Sequence, residues 1–131
     1  MLFLVGLLTG LVLPLTANPR AGLAGHLEGV MNGTFLVALG CAWAELRLGA
    51  VAERVVYGSL VFGSWANWGG TLLSAVLGTS KATPLAGAGH AGTWFQETLV
   101  LGILASVALA MVAGVAVAAW HLWLRDREPT A

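Results

Sequence analysis

His26, Glu28 and Asn32 fall in one short run, His26-Leu27-Glu28-Gly29-Val30-Met31-Asn32-Gly33. An imidazole can ligate a metal or carry a proton, a carboxyl can give a proton and take one back, and a carboxamide can hold an oxygen by hydrogen bonds. The run lies in an otherwise apolar segment, where such groups are costly to bury and so are functional candidates. At helical spacing Glu28 and Asn32 share a face, and His26 and Gly33 share another. Gly25, Gly29 and Gly33 recur every four residues on one side, where another helix or a flat ligand can come close to the backbone. The purely structural alternatives are a first-turn carboxylate favoured by the helix dipole and a helix-start histidine; the clustering with Asn32 favours a site.

A second set lies further along. Ser64, Asn67, Thr71 and Ser74 recur at spacings of three and four and make one polar stripe, which Tyr57 extends. Small hydroxyl residues of this kind commonly pack helices together. Asn67 is costlier to bury and is flanked by Trp65 and Trp68, so it reads as a carboxamide beside aromatic walls. Lys81, His90, Trp94 and Gln96 belong to a Gly-rich connection that leads into Glu97. A connection of this length is read as a lid, a binding loop or a surface hairpin. Glu97 alone needs no more than a helix-start role.

The elements that must position these residues are apolar helices. Of 131 residues 58% are hydrophobic and 9% charged, and the mean hydropathy is +0.85. This is a membrane composition, expected to give an all-α, integral membrane four-helix bundle in a single domain, 1–131. The uncharged runs predict helices over 2–17, 26–46, 55–77 and 97–124, with a loop over 78–96. The first run is short for a span and lacks the basic segment that opens a signal peptide. Asn18-Pro19-Arg20 reads as a helix break, and Arg125-Asp126-Arg127-Glu128-Pro129 as a polar stop. Four spans put both termini on one side, with Arg47, Arg54, Arg125 and Arg127, against Arg20 and Lys81 opposite. That bias places both termini in the cytoplasm of a bacterial-type inner membrane. Trp43, Trp120 and Trp123 fit an interfacial belt on that side. Zero net charge points away from nucleic acid, and the lone Cys41 allows neither an internal disulfide nor a zinc pattern.

Several motifs together resemble one family. Leu8-Thr9-Gly10-Leu11-Val12, Ala17-Asn18-Pro19-Arg20, the run from His26 to Gly33, Trp65-Ala66-Asn67-Trp68, the stretch from Pro84 to Thr93 and Gln96-Glu97 closely resemble hydroxylaminobenzene mutase, in the same order. The resemblance implies a membrane enzyme that moves the hydroxyl of hydroxylaminobenzene from nitrogen to the ortho carbon, giving 2-aminophenol. A more distant similarity is to styrene oxide isomerase, a four-helix membrane enzyme with ferric haem b as Lewis acid. That family has His and Asn six apart, as at His26 and Asn32, and Trp-x-Asn in its third helix, as at Trp65 and Asn67. It implies His26 as the haem-iron ligand, Asn32 facing substrate, and a homo-oligomer, a trimer in that family's manner. Where that family has an active-site Tyr this chain has Thr71, which speaks against epoxide isomerisation.

On this reading Gly29 and Gly33 would let a porphyrin lie against the second helix. Glu28 would supply a proton to the leaving oxygen, and Asn32 and Asn67 would hold the oxygen fragment. Trp65, Trp68 and Thr71 would line the pocket of a small aromatic substrate. The alternatives are an epoxide-to-aldehyde isomerase and a b-type haem electron carrier with His90 or His121 as second ligand. A structural protein and a transporter have less in their favour.

Overall fold

The structure, a computed structural model, describes residues 1–125, with the side chain of Arg125 left aside. The residues from Asp126 onward, including Arg127 and the rest of the polar stop, lie outside the described residues. The chain is all-helical, with no strand among the described residues. The described residues form four α-helices: α1 (Leu2–Leu11), α2 (Pro19–Ala42), α3 (Ala50–Leu77) and α4 (Trp94–Arg125).

The helix ends follow local chemistry, and they correct the expected boundaries. α1 stops at Leu11 rather than continuing to 17, and a 3-10 turn follows over Leu13–Leu15. Pro14 is the cause: it has no N–H to give and its ring clashes with the preceding turn. α2 begins at Pro19, not at His26. Asn18 caps it, its Oδ1 accepting from the N–H groups of Arg20 and Ala21, each at 3.1 Å. Proline at the first helical position starts a helix as readily as it breaks one elsewhere. His26 and Glu28 therefore stand about two turns inside the helix, which removes the helix-start roles considered for both.

α2 runs on through a 3-10 turn, Trp43–Leu46, to Arg47, a non-glycine residue with φ 45°. α3 starts at Ala50 with Glu53 in its first turn, and ends where Gly78 takes φ 64°, a left-handed cap that glycine adopts without a Cβ penalty. α4 starts at Trp94 rather than 97 through a reciprocal cap. The N–H of Thr93 donates to Oε1 of Gln96 at 2.8 Å, and the N–H of Gln96 donates to Oγ1 of Thr93 at 3.4 Å.

Successive helices pack antiparallel: α1 on α2, α2 on α3, α3 on α4. α1 and α4 do not pack along one another, so the row of helices is not closed into a ring. The α1–α2 crossing is backbone against backbone. A Cβ on Gly29 would run into Cα of Gly6, and one on Gly33 into the backbone N of Phe3. The apolar core sits at the far end from His26, around Leu46, Val56, Leu60 and Ala118. Trp43 packs against that core, and Trp120 and Trp123 stack near its end of α4 with ring centroids 5.0 Å apart.

Two of the four expected spans are long and apolar enough to cross a membrane: Pro19–Leu46 and Trp94–Leu124. α1 is too short, its ten residues rising about 15 Å against a hydrocarbon core of about 30 Å. α3 has the length, but its glycines and polar stripe dilute its apolar character.

The connection between α3 and α4 is stapled down. The buried carboxylate of Glu97 accepts the N–H groups of Ser80, Lys81 and Gly92. Asn18, also buried, donates its Nδ2 to the carbonyl of Ala86 at 2.9 Å and its backbone N–H to that of Ala75 at 3.0 Å. Every one of these bonds spares a backbone or amide group from being left unpaired. The loop is a fixed cap over the Asn18 end of the helices rather than a free hairpin.

Candidate active site

Three of the residues singled out by type and spacing meet. Nδ2 of Asn32 donates to Oε2 of Glu28 at 3.0 Å, along one face of α2, and Nδ2 of Asn67 donates to the same oxygen from α3 at 2.6 Å. One carboxylate oxygen is thus held by two amides, and no hydrogen bond reaches Oε1 among the described residues. Asn32 is 8% exposed, while Glu28 and Asn67 are half-buried, so the cluster is partly accessible at the α2–α3 seam. A carboxyl with one oxygen fixed and the other free is oriented for proton transfer.

The aromatic walls stand beside it. Trp65 and Trp68 meet edge to face, with centroids 5.9 Å apart and planes at 87°. Trp68 lies on the Gly29 backbone, where a Cβ would come within 2.8 Å of its Cδ1. Its indole N–H donates to Oγ1 of Thr9 at 3.0 Å. Thr71 is buried one turn beyond Asn67, and no hydrogen bond joins it to the cluster. Ser64, one turn the other way and fully buried, has an Oγ with no partner among the described residues.

The sharpest difference from expectation concerns the glycine face. Gly29 and Gly33 are covered by Gly6 and Phe3 of α1, so the face admits a helix and leaves no room for a porphyrin plane. Cofactor binding by these two glycines is therefore corrected to helix packing. The spacing alone could not separate these alternatives, because both need the same absence of side chains.

His26 does not join the carboxylate cluster. At about 100° per residue, His26 and Glu28 leave α2 on widely separated sides. The imidazole turns to α1, where its Nδ1 lies 2.8 Å from the carbonyl of Gly6 and its ring edge fills the space over Gly10. A carbonyl can only accept, so Nδ1 carries a proton, which leaves Nε2 as the nitrogen a metal would take. That is the arrangement in which a backbone carbonyl orients a metal-ligating histidine. His26 is the residue that would hold a haem iron, through Nε2; no group of three or more His, Cys, Asp or Glu that could hold a metal ion occurs among the described residues. His90 uses Nε2 on the carbonyl of Ala17 at 3.2 Å, and His121 uses Nδ1 on Val117 at the other end of the molecule.

A groove of about 900 Å³ runs down the same seam, lined by Leu36, Leu39, Trp43, Tyr57 and Trp65 among others. Glu28, Asn32 and Asn67 do not line it; Trp65 joins it to their neighbourhood. The residues that spacing did not reveal are Thr9 and Gly6 of α1. Their roles depend on a helix crossing rather than on any pattern within their own segment.

The sequence pattern of the styrene oxide isomerase family matches residues 1–123. The chain belongs to that family. Among similar proteins, hydroxylaminobenzene mutase HabB of Ectopseudomonas oleovorans is 49% identical over 122 residues, 92% of this chain and 74% of that protein. Hydroxylaminobenzene mutase HabA of the same organism is 41% identical over 113 residues, 86% of this chain and 84% of that protein. The resemblance drawn from the motifs is borne out. Mutases are isomerases, so this family member is an enzyme of the isomerase class. No solved structure matches the chain.

Proposed function

We propose that the chain is an integral membrane mutase that converts hydroxylaminobenzene-type arylhydroxylamines to 2-aminophenols. The observation that carries this reading is the Glu28 carboxylate held by Asn32 and Asn67 beside two tryptophans, in a chain 49% identical to a hydroxylaminobenzene mutase. The reaction is an isomerisation and needs no co-reactant. The N–O bond breaks, a C–O bond forms at the ortho carbon, that carbon loses its proton, and nitrogen gains one.

Glu28 suits both proton movements. Its free Oε1 delivers a proton to the hydroxylamine oxygen as the N–O bond opens, so the oxygen leaves as water; when this water adds at the ortho carbon one of its protons passes to nitrogen, and the Glu28 carboxylate receives the ortho proton. The amides of Asn32 and Asn67 fix the carboxyl, and their carbonyl oxygens hold the departing water near the ring. Trp65 and Trp68 wall the electron-poor ring and keep solvent water from it, so the same oxygen is recaptured.

Haem b held through Nε2 of His26 is part of the proposal, and when bound it would supply a Lewis-acidic ferric iron. His26 and Glu28 leave α2 on different sides, so the proton movements belong to Glu28 and its two amides alone. A homo-oligomer, as the resemblance to styrene oxide isomerase implies, is part of the same proposal. The fold is proposed to span the membrane several times with both termini cytoplasmic, and two helices of sufficient length and apolarity support that.

An epoxide isomerase is the second reading, favoured by the family match over residues 1–123. The two are separated by giving detergent-purified protein hydroxylaminobenzene and styrene oxide in parallel. Formation of 2-aminophenol is expected. Conversion of the epoxide alone would overturn the mutase reading. A b-type electron carrier is less well supported, since a second ligand would have to come from His90, whose Nε2 is bonded to the carbonyl of Ala17, or from His121 at the other end of the molecule.

A further inference from the structure

The geometry points to Thr9 of α1 as a positioning residue that sets the plane of Trp68 against the reacting ring, an inference that rests on the mutase reading. Thr9 is 3% exposed. Its hydroxyl has one proton, which it donates to the carbonyl of Val5 at 2.9 Å. What it offers Trp68 is therefore a lone pair, and the indole N–H meets it at 3.0 Å. The relay runs in one direction only: indole N–H to Thr9, Thr9 to Val5.

This bond ties α3 to α1 across α2. Trp68 reaches Thr9 by passing over Gly29, which has no side chain to stop it. The chain neighbours of Gly29 and Trp68 are Glu28 and Asn67, themselves joined at 2.6 Å. The indole is therefore held at its N–H by Thr9, from below by the Gly29 backbone, and at its edge by Trp65. A ring with these three supports cannot turn about its side-chain bonds without losing one of them. Without the Thr9 oxygen the indole N–H would have no partner there, and a buried donor in that condition favours rotation to another acceptor.

The consequence falls on oxygen recapture. With the wall closed, the oxygen that leaves nitrogen is the one that reaches carbon. With the wall loosened, solvent water competes for the ring cation. The original oxygen then departs as water, a solvent oxygen forms the new C–O bond, and the proton taken up at N–O cleavage is returned when that water adds. Atoms and charge balance on both routes, and the products differ only in the source of oxygen and in ring position.

The test uses purified full-length protein with hydroxylaminobenzene in ¹⁸O-water. Wild type and Thr9→Ser, which keeps the hydroxyl, are expected to give 2-aminophenol without solvent oxygen. Thr9→Val, which keeps the shape, is expected to lower kcat by on the order of tenfold to a hundredfold, as small misplacements in an active site do. It is also expected to yield labelled 2-aminophenol and 4-aminophenol. In a Trp68→Phe background, which has no N–H to hold, Thr9→Val should add little further loss. Unlabelled product at the wild-type rate from Thr9→Val would overturn the inference, as would an equal added loss in the Trp68→Phe background. The indole N–H proton resonance of Trp68 gives a readout independent of turnover: it should move in Thr9→Val and stay in Thr9→Ser. Absence of 2-aminophenol from wild type with that resonance shift present would overturn the mutase reading and leave the positioning of Trp68 standing.

Discussion

At the scale of single residues, the site is defined by how many partners each polar atom has. Oε2 of Glu28 has two amide donors and Oε1 has none among the described residues. The asymmetry makes the two asparagines unequal. Asn67 crosses between helices to reach the carboxylate, whereas Asn32 reaches it within its own helix. Asn67→Leu is expected to cost more in kcat than Asn32→Leu, by on the order of tenfold, because it removes both a donor and the tie between helices. Steady-state kinetics on the two variants checks this; equal losses would count against it. Ser64 makes the opposite case. Its hydroxyl is fully buried with no partner among the described residues, so Ser64→Ala is expected to leave the thermal midpoint unchanged or to raise it. The ring of His26, with Nδ1 committed to Gly6, predicts that His26→Ala abolishes the haem Soret band of protein purified with haem; a retained, unchanged band would contradict ligation there.

At the scale of elements, the same glycine pattern does different things along one helix. Gly29 meets the α1 backbone at contact distance, while Gly40 has open space around it. Gly29→Ala is therefore expected to destabilise by about 1–3 kcal/mol through overpacking, and Gly40→Ala to be neutral or to stabilise by up to about 1 kcal/mol through helix propensity. Thermal unfolding in detergent measures both. Much of this level is legible in the sequence. The pairing of Glu28 with Asn32 follows from i, i+4 spacing, and Asn67 of the polar stripe on α3 does meet α2. The start of α2 is not legible because Asn18-Pro19 can cap a helix or break one, and only the contact of Asn18 with Ala75 and Ala86 decides it. The partner of the glycine face is not legible either, since a helix and a flat ligand ask the same of the residues. The loop is opaque for a related reason: its glycines suggest freedom, but a single carboxylate, Glu97, gathers three of its backbone N–H groups. Glu97→Ala is expected to open that loop, seen as faster proteolytic cleavage between Gly78 and Thr93 than in wild type.

At the scale of the whole molecule, the row of four helices leaves long apolar surfaces uncovered. On α4, Leu109 is 75% and Val112 70% exposed, far more apolar surface than a soluble monomer leaves in water. The protein is expected to stay with membranes through an alkaline carbonate wash and to be released by detergent; release by carbonate would contradict the proposed membrane embedding. Within that setting the polar cluster at Glu28 brings together an oriented carboxyl, two amides and two aromatic rings, and the proposed hydroxyl transfer depends on it. The most direct test compares wild type and Glu28→Gln, matched for folded protein by thermal unfolding, for turnover of hydroxylaminobenzene to 2-aminophenol. A fall in kcat of about a hundredfold or more in Glu28→Gln is predicted, the size of a lost general acid–base group. Wild-type turnover from Glu28→Gln would contradict the assignment of the proton chemistry to this carboxylate.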